Sequence, residues 1–235
     1  MIRRWLLAIL LAAPLAASQA AEPIDLELAL MVDVSLSIDE EEYRLQRNGY
    51  VRAFRNPAVQ HAIGQGRRRA VAVMYAEWAD YAVQDVVVEW TLLRSPTDAN
   101  AFADRLERAR PRHSAGSTSL SGAIDFAARQ FGRAGYVGQR RVIDISGDGM
   151  NNSGRDPRFA RDDAVRQGIV INGVAILTEV ATLDDYYQRY VAGGDGAFVV
   201  GARDFGDFAR AILGKLAREI SGRPLDGDTM LAEAP

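Results

Sequence analysis

The segment LELALMVDVSLSIDEEEYRL constrains the fold more than any other part of the chain. From Leu26 to Val34 it is an apolar run of strand length, of the kind that packs inside a sheet covered on both faces. It closes on a carboxylate, Asp33, and two hydroxyls, Ser35 and Ser37, at every second position. SIDEEEYRLQRNGYVRAFRN then has the period of a helix, with Ser37 and Glu40 spaced as a capping box. Leu45, Tyr50, Val51 and Phe54 suit its inner face, and Pro57 marks a break before a short helical turn.

The same alternation continues to residue 222. RRAVAVMYAEWA and YAVQDVVVEWTLL read as two strands joined so tightly at Asp80 that they must pair antiparallel, since a parallel crossover needs a dozen residues or more. SPTDANAFADRLERAR is a helix entered through Ser95, Pro96 and Thr97. A polar loop, PRHSAGSTSL, precedes a second helix, SGAIDFAARQFGRAG, with Ile124, Phe126, Ala127 and Phe131 available for burial. RVIDIS, IVINGVAIL and AFVV read as strands. DPRFARDDAVRQG, LDDYYQRYVAGG and RDFGDFARAILGKLAREISG read as helices, the first and last stopped by Gly168 and Gly222. The pattern predicts a doubly wound α/β fold: a mostly parallel, Rossmann-like sheet with one antiparallel edge strand and helices on both faces. No repeat, linker or shift in composition divides it, so residues 22–223 are expected to form one domain.

The N-terminus, MIRRWLLAILLAAPLAASQAAEP, has two arginines, an apolar run from Trp5 and a small-residue site, the layout of a secretory signal over residues 1–21. Export to the periplasm or the medium follows, and no other segment is long and apolar enough to span a membrane. The net charge is −3, and −5 without Arg3 and Arg4, which gives no support to nucleic-acid or polybasic membrane binding. With no cysteine, disulfides and thiolate chemistry are excluded. Residues 224–235 are polar and expected to be disordered.

In a doubly wound sheet, ligands bind outside the carboxyl ends of the strands. Three polar segments are expected to converge there: DVSLS, GSTSLSG and SGDGMNNSG. They bring Asp33, Ser35, Ser37, Thr118 and Asp148, all hard oxygen donors, which suit Mg2+ or Mn2+, with Ca2+ as a further candidate. Three neutral hydroxyls leave such a cation short of negative charge, and an acidic side chain from a protein partner is the natural remaining ligand.

Taken together, Asp33-x-Ser35-x-Ser37, Thr118 in its Gly-Ser-Thr setting and Asp148 before Gly149 resemble the von Willebrand factor A (vWA) domain and its metal-ion-dependent adhesion site (MIDAS). More narrowly, DVSLSIDEEEYRLQRNGYVRAF and VIDISGDGMNN look like an uncharacterised family of exported bacterial proteins with a vWA-like fold. The resemblance implies metal-dependent protein binding, with those five residues as ligands. It departs from the vWA pattern at Gly147, which separates Ser146 from Asp148, and at Asp144, an acid inside a strand.

Glu40 and Glu41, beside Asp39, are candidates for a second cation site, although acids in a first helical turn also simply favour the helix dipole. Thr118 on its own would read as a helix cap. His61 and His113 pair with no serine or acid in a recognisable order, and Trp78 and Trp90 read as packing residues. Among enzymes, a Mg2+-dependent hydrolase of the haloacid dehalogenase type is the nearest rival. It wants a second Asp where Ser35 stands and a lysine at the site, and Lys215, in the last helix, is the single lysine. A vWA-like scaffold with a degenerate, metal-free site is the structural alternative.

Overall fold

The computed structural model describes residues 21–109, 116–133 and 135–222. The export signal read at residues 1–21 lies almost wholly outside the described residues, and His113 and the tail 224–235 also fall outside them.

Strand β1 (Glu22–Asp33) is followed by α1 (Glu40–Arg55), α2 (Pro57–Ile63), β2 (Val71–Trp78), β3 (Gln84–Leu93), α3 (Pro96–Arg108) and α4 (Leu120–Gln130). Then come β4 (Tyr136–Gly147), α5 (Pro157–Arg166), β5 (Ile169–Ile176), α6 (Leu183–Tyr190), β6 (Val199–Ala202) and α7 (Phe205–Ser221). The strands stand in the order β3-β2-β1-β4-β5-β6. Strand β1 pairs in parallel with β2 and β4, and β5 and β6 extend the parallel sheet. Among the described residues only β3 runs antiparallel, against β2 at the edge. The architecture is the one the alternation predicts.

With neighbours on both edges and helices on both faces, β1 is buried from Ile24 to Asp33. Its Leu26, Leu28, Leu30 and Val32 pack with Tyr50, Phe54, Phe102, Phe208 and Leu216, from α1, α3 and α7. Ala29 and Met31 pack on the opposite face with Leu120, Ile124, Ala164, Leu183 and Tyr187, from α4, α5 and α6. The strand starts four residues before its apolar run, and two of its acids, Asp25 and Glu27, find backbone donors. Asp25 accepts from the amides of Arg68 at 3.0 Å and Ala70 at 3.2 Å, and Glu27 accepts from that of Gly138 at 2.9 Å.

Two local expectations about α1 are corrected. The capping box is Asp39 with Glu42: Asp39 Oδ1 accepts from the amides of Glu41 and Glu42 at 2.8 Å, and Glu42 Oε2 accepts from that of Asp39 at 2.9 Å. Ser37 is left free for another role. The inner face is Tyr43, Gln46, Arg47, Tyr50, Val51 and Phe54, while Leu45 is exposed. A charged residue can occupy that face because Arg47 Nη2 lies 2.7 Å from Glu77 Oε1 on β2, which also accepts from the Tyr43 hydroxyl at 2.9 Å.

Asp144, the acid inside β4, meets the chain's single lysine. Lys215 Nζ lies 2.5 Å from Asp144 Oδ1 and 2.5 Å from Glu219 Oε1, with all three side chains sealed from water. Asn172 on β5 donates to the same Glu219 oxygen at 2.7 Å. Burial, with Asp144 beside it, pushes Glu219 from 4.5 up to about 8. The folded chain therefore holds this proton more tightly than the unfolded chain, and the resulting stability fades as pH rises from 4.5 through about 8. Lys215→Met strands two acids around an apolar side chain and should cost about 3–5 kcal/mol in urea unfolding at pH 7. A negligible loss would show that the cluster carries no such weight.

Candidate functional site

The end of β1 turns outward on its own carboxylate: the Ser35 amide donates to Asp33 Oδ1 at 2.8 Å, an Asx turn. That turn presents the two serine hydroxyls, Ser35 Oγ and Ser37 Oγ, 3.3 Å apart. Ser37 donates to Asp148 Oδ1 at 2.9 Å, beyond the end of β4. Thr118 donates to Ser35 Oγ at 3.3 Å, from the segment entering α4. Asp33, Ser35, Ser37, Thr118 and Asp148, brought from three distant segments, thus form one connected group at the carboxyl edge of the sheet.

Thr118 is not the helix cap. Ser119 is, accepting from the Gly122 amide at 3.2 Å, so the Thr118 hydroxyl is directed to the group instead. Its backbone is clamped by the turn after Asp148. The Thr118 amide donates to Asn152 Oδ1 at 2.7 Å, and the Thr118 carbonyl accepts from the amides of Asn152 at 2.9 Å and Ser153 at 3.2 Å. Asn151 in turn accepts from the Ser121 amide at 3.2 Å. Sequence reasoning gave no role to Asn151, Asn152 or Ser153; the polar run after Asp148 was the available signal.

Asp33, Ser35, Thr118 and Asp148 are buried, whereas Ser37 is exposed, so the group opens to solvent on one side. Asp33 Oδ2 and Asp148 Oδ2 are both buried without a hydrogen-bond partner, and neither carboxylate is in an ion pair among the described residues. Burial, and then the charge of Asp148, raises Asp33 from 3.8 to about 7, and burial also raises Asp148. Two dehydrated carboxylates beside three hydroxyls suit a hard divalent cation, whose charge would offset their burial.

Gly147 fits closely into this arrangement. A Cβ there would stand 2.6 Å from Asp33 Oδ2, so the residue that departs from the vWA pattern admits the Asp33 carboxylate. Glu40 and Glu41 are exposed in the first turn of α1, and the Asp39 carboxylate is engaged by the cap. Among the described residues no three His, Cys, Asp or Glu side chains gather closely enough to hold a metal by themselves. Trp78 is core, and Trp90 packs on Phe131 at 5.6 Å between ring centres.

The sequence model of a family described as "Protein of unknown function (DUF1194)" matches residues 23–224. No curated protein sequence matches the chain. Among solved structures, proximal thread matrix protein 1 (PTMP1) from the mussel byssus superposes with a TM-score of 0.62 at 14% identity, over 84% of this chain and 47% of that one. A further PTMP1 structure, described as having a zinc-occupied MIDAS motif, gives 0.58 at 16% identity, over 86% and 47%. The pilus adhesin SpaC from Lactobacillus rhamnosus GG gives 0.58 at 13%, over 84% and 30%. A von Willebrand factor type A structure from Catenulispora acidiphila gives 0.55 at 16%, over 83% and 42%. The chain therefore has a vWA-like fold and spans about half the length of the PTMP1 chains it matches.

Without a bound cation, the raised Asp33 has a consequence for stability. The folded chain keeps this proton up to about pH 7, whereas the unfolded chain releases it near 3.8. Stability of the metal-free protein should therefore fall as pH rises across that window, by up to about 4 kcal/mol from this group. Melting in EDTA from pH 4 to pH 8 measures the slope, and Asp33→Asn should reduce it, leaving the part that Glu219 contributes.

Proposed function

The chain belongs to the DUF1194 family of proteins of unknown function, and we propose that it is an exported, metal-dependent protein-binding module with a MIDAS-type site. Asp33, Ser35, Ser37, Thr118 and Asp148 would hold Mg2+ or Mn2+, with Ca2+ as a further candidate, and an acidic side chain of a protein partner would complete the coordination. The observation that carries this reading is the pair of buried, unpartnered oxygens on Asp33 and Asp148 beside three linked hydroxyls. Such a group is costly to bury empty and is stabilised by a divalent cation. Bound there, the cation supplies a positive charge for a partner carboxylate in a group that otherwise holds two carboxylates and three neutral hydroxyls.

Two likenesses support the reading: the zinc-occupied MIDAS motif described for PTMP1 and the adhesin role named for SpaC. Export rests on the N-terminal signal; no helix among the described residues is long and apolar enough to cross a membrane. A Mg2+-dependent hydrolase is the weaker reading. Ser35 stands where that chemistry wants a second acid, and Lys215 is committed to Asp144 and Glu219 in the core.

Thermal melting of residues 22–235 in Mg2+, Mn2+ or Ca2+ against EDTA tests the proposal. A cation at 100 times its dissociation constant should add about 2.7 kcal/mol, and Asp33→Ala should abolish the gain. Partner capture should require the same cation. A partner retained equally well in EDTA, with no cation raising the melting point, would favour the metal-free scaffold.

A further inference from the structure

Tyr187, on α6, is fully buried, and its hydroxyl has no hydrogen-bond partner among the described residues. An unpaired buried hydroxyl costs about 1–3 kcal/mol, so phenylalanine would fill the same space more favourably if packing were the only requirement. The sheet is shaped to admit the tyrosine. At Gly173 on β5 a Cβ would lie 2.8 Å from Tyr187 Cδ1. At Gly147 on the adjacent strand a Cβ would lie 2.8 Å from the Tyr187 hydroxyl oxygen and 2.6 Å from Asp33 Oδ2. Two glycines on neighbouring strands thus open a slot that carries the ring across β5 and β4 and ends its hydroxyl behind Asp33. An orphan donor and an orphan acceptor, both sealed from water, border the same small space.

The phenol suits that place electrically. Burial, reinforced by the charges of Asp33 and Asp148, holds its ionisation well above the usual range, so it stays a neutral donor. A lysine or arginine there would satisfy Asp33 equally well but would cancel the negative charge that attracts a cation. A hydroxyl fixes the carboxylate and leaves its charge in place.

We propose that Tyr187 is a positioning residue of the site: its hydroxyl donates to Asp33 Oδ2 across one trapped water, or on a small rotation of either side chain, and sets the rotation of that carboxylate for cation binding. The inference rests on the metal-binding reading above. It also gives Gly147 a purpose, because any side chain at that position would come between the two groups. Partners that orient a metal ligand in this way typically contribute 10–100-fold in affinity.

The test is Tyr187→Phe, which keeps the ring in its slot and removes only the oxygen. Mn2+ titration calorimetry on residues 22–235 should show binding about 10–100-fold weaker than wild type, with an unchanged circular dichroism spectrum. Gly147→Ala, which inserts a methyl group between the two oxygens, should weaken Mn2+ at least as much. Tyr190→Phe, on the same helix, should leave the affinity unchanged. A shift in the melting point of Tyr187→Phe with wild-type Mn2+ affinity would reduce Tyr187 to a packing residue and overturn the inference, leaving metal binding intact. A wild-type chain that binds no divalent cation would overturn both.

Discussion

Two carboxylates are held out of water at the carboxyl edge of the sheet, and neither is in an ion pair among the described residues. Everything around the site follows from that constraint. Strand β1 is covered on both faces and both edges, so its last residue, Asp33, is as buried as the leucines before it. Asp148 arrives just past the end of the neighbouring strand β4 and raises Asp33 further. The protein answers with neutral donors: the Ser35 amide to Asp33, the Ser37 hydroxyl to Asp148 and, by inference, the Tyr187 hydroxyl to Asp33. Each offsets part of the burial cost and leaves the negative charge available to a cation.

Elsewhere in the core the same problem is solved differently. Asp144, on β4 four residues before Asp148, is met by the ammonium of Lys215. Glu77 is met by the guanidinium of Arg47. Asp144 and Glu77 thus receive a cation from the protein, whereas Asp33 and Asp148 at the carboxyl edge receive an amide and a hydroxyl. On the proposed reading, this contrast within one sheet marks Asp33 and Asp148 as the acids left for a cation.

The sheet was legible because its central strands are apolar runs flanked by helix-period segments, and because the link at Asp80 is too short for anything but an antiparallel pair. The five-residue group was legible as polar endings of strands whose carboxyl ends must share an edge. Its supports were not. Two capping-box spacings overlap, Ser37 with Glu40 and Asp39 with Glu42, and local pattern cannot choose between them. The choice rests on Asp148, 111 residues away, which takes the Ser37 hydroxyl. Asp144 looked like a departure until Lys215 and Glu219, far along the chain, were seen beside it. Tyr187 is one of three tyrosines in LDDYYQRY, and only the slot left by Gly147 and Gly173 singles it out.

The most direct measurement is a crystal structure of residues 22–235 grown with Mn2+, with diffraction recorded at the manganese absorption edge. The expected result is one strong anomalous peak among Ser35, Ser37 and Thr118, with Asp33 and Asp148 turned toward it. A crystal saturated with Mn2+ that shows no peak there, the two carboxylates held instead by protons or water, would contradict the claim that this edge of the sheet is built for a cation.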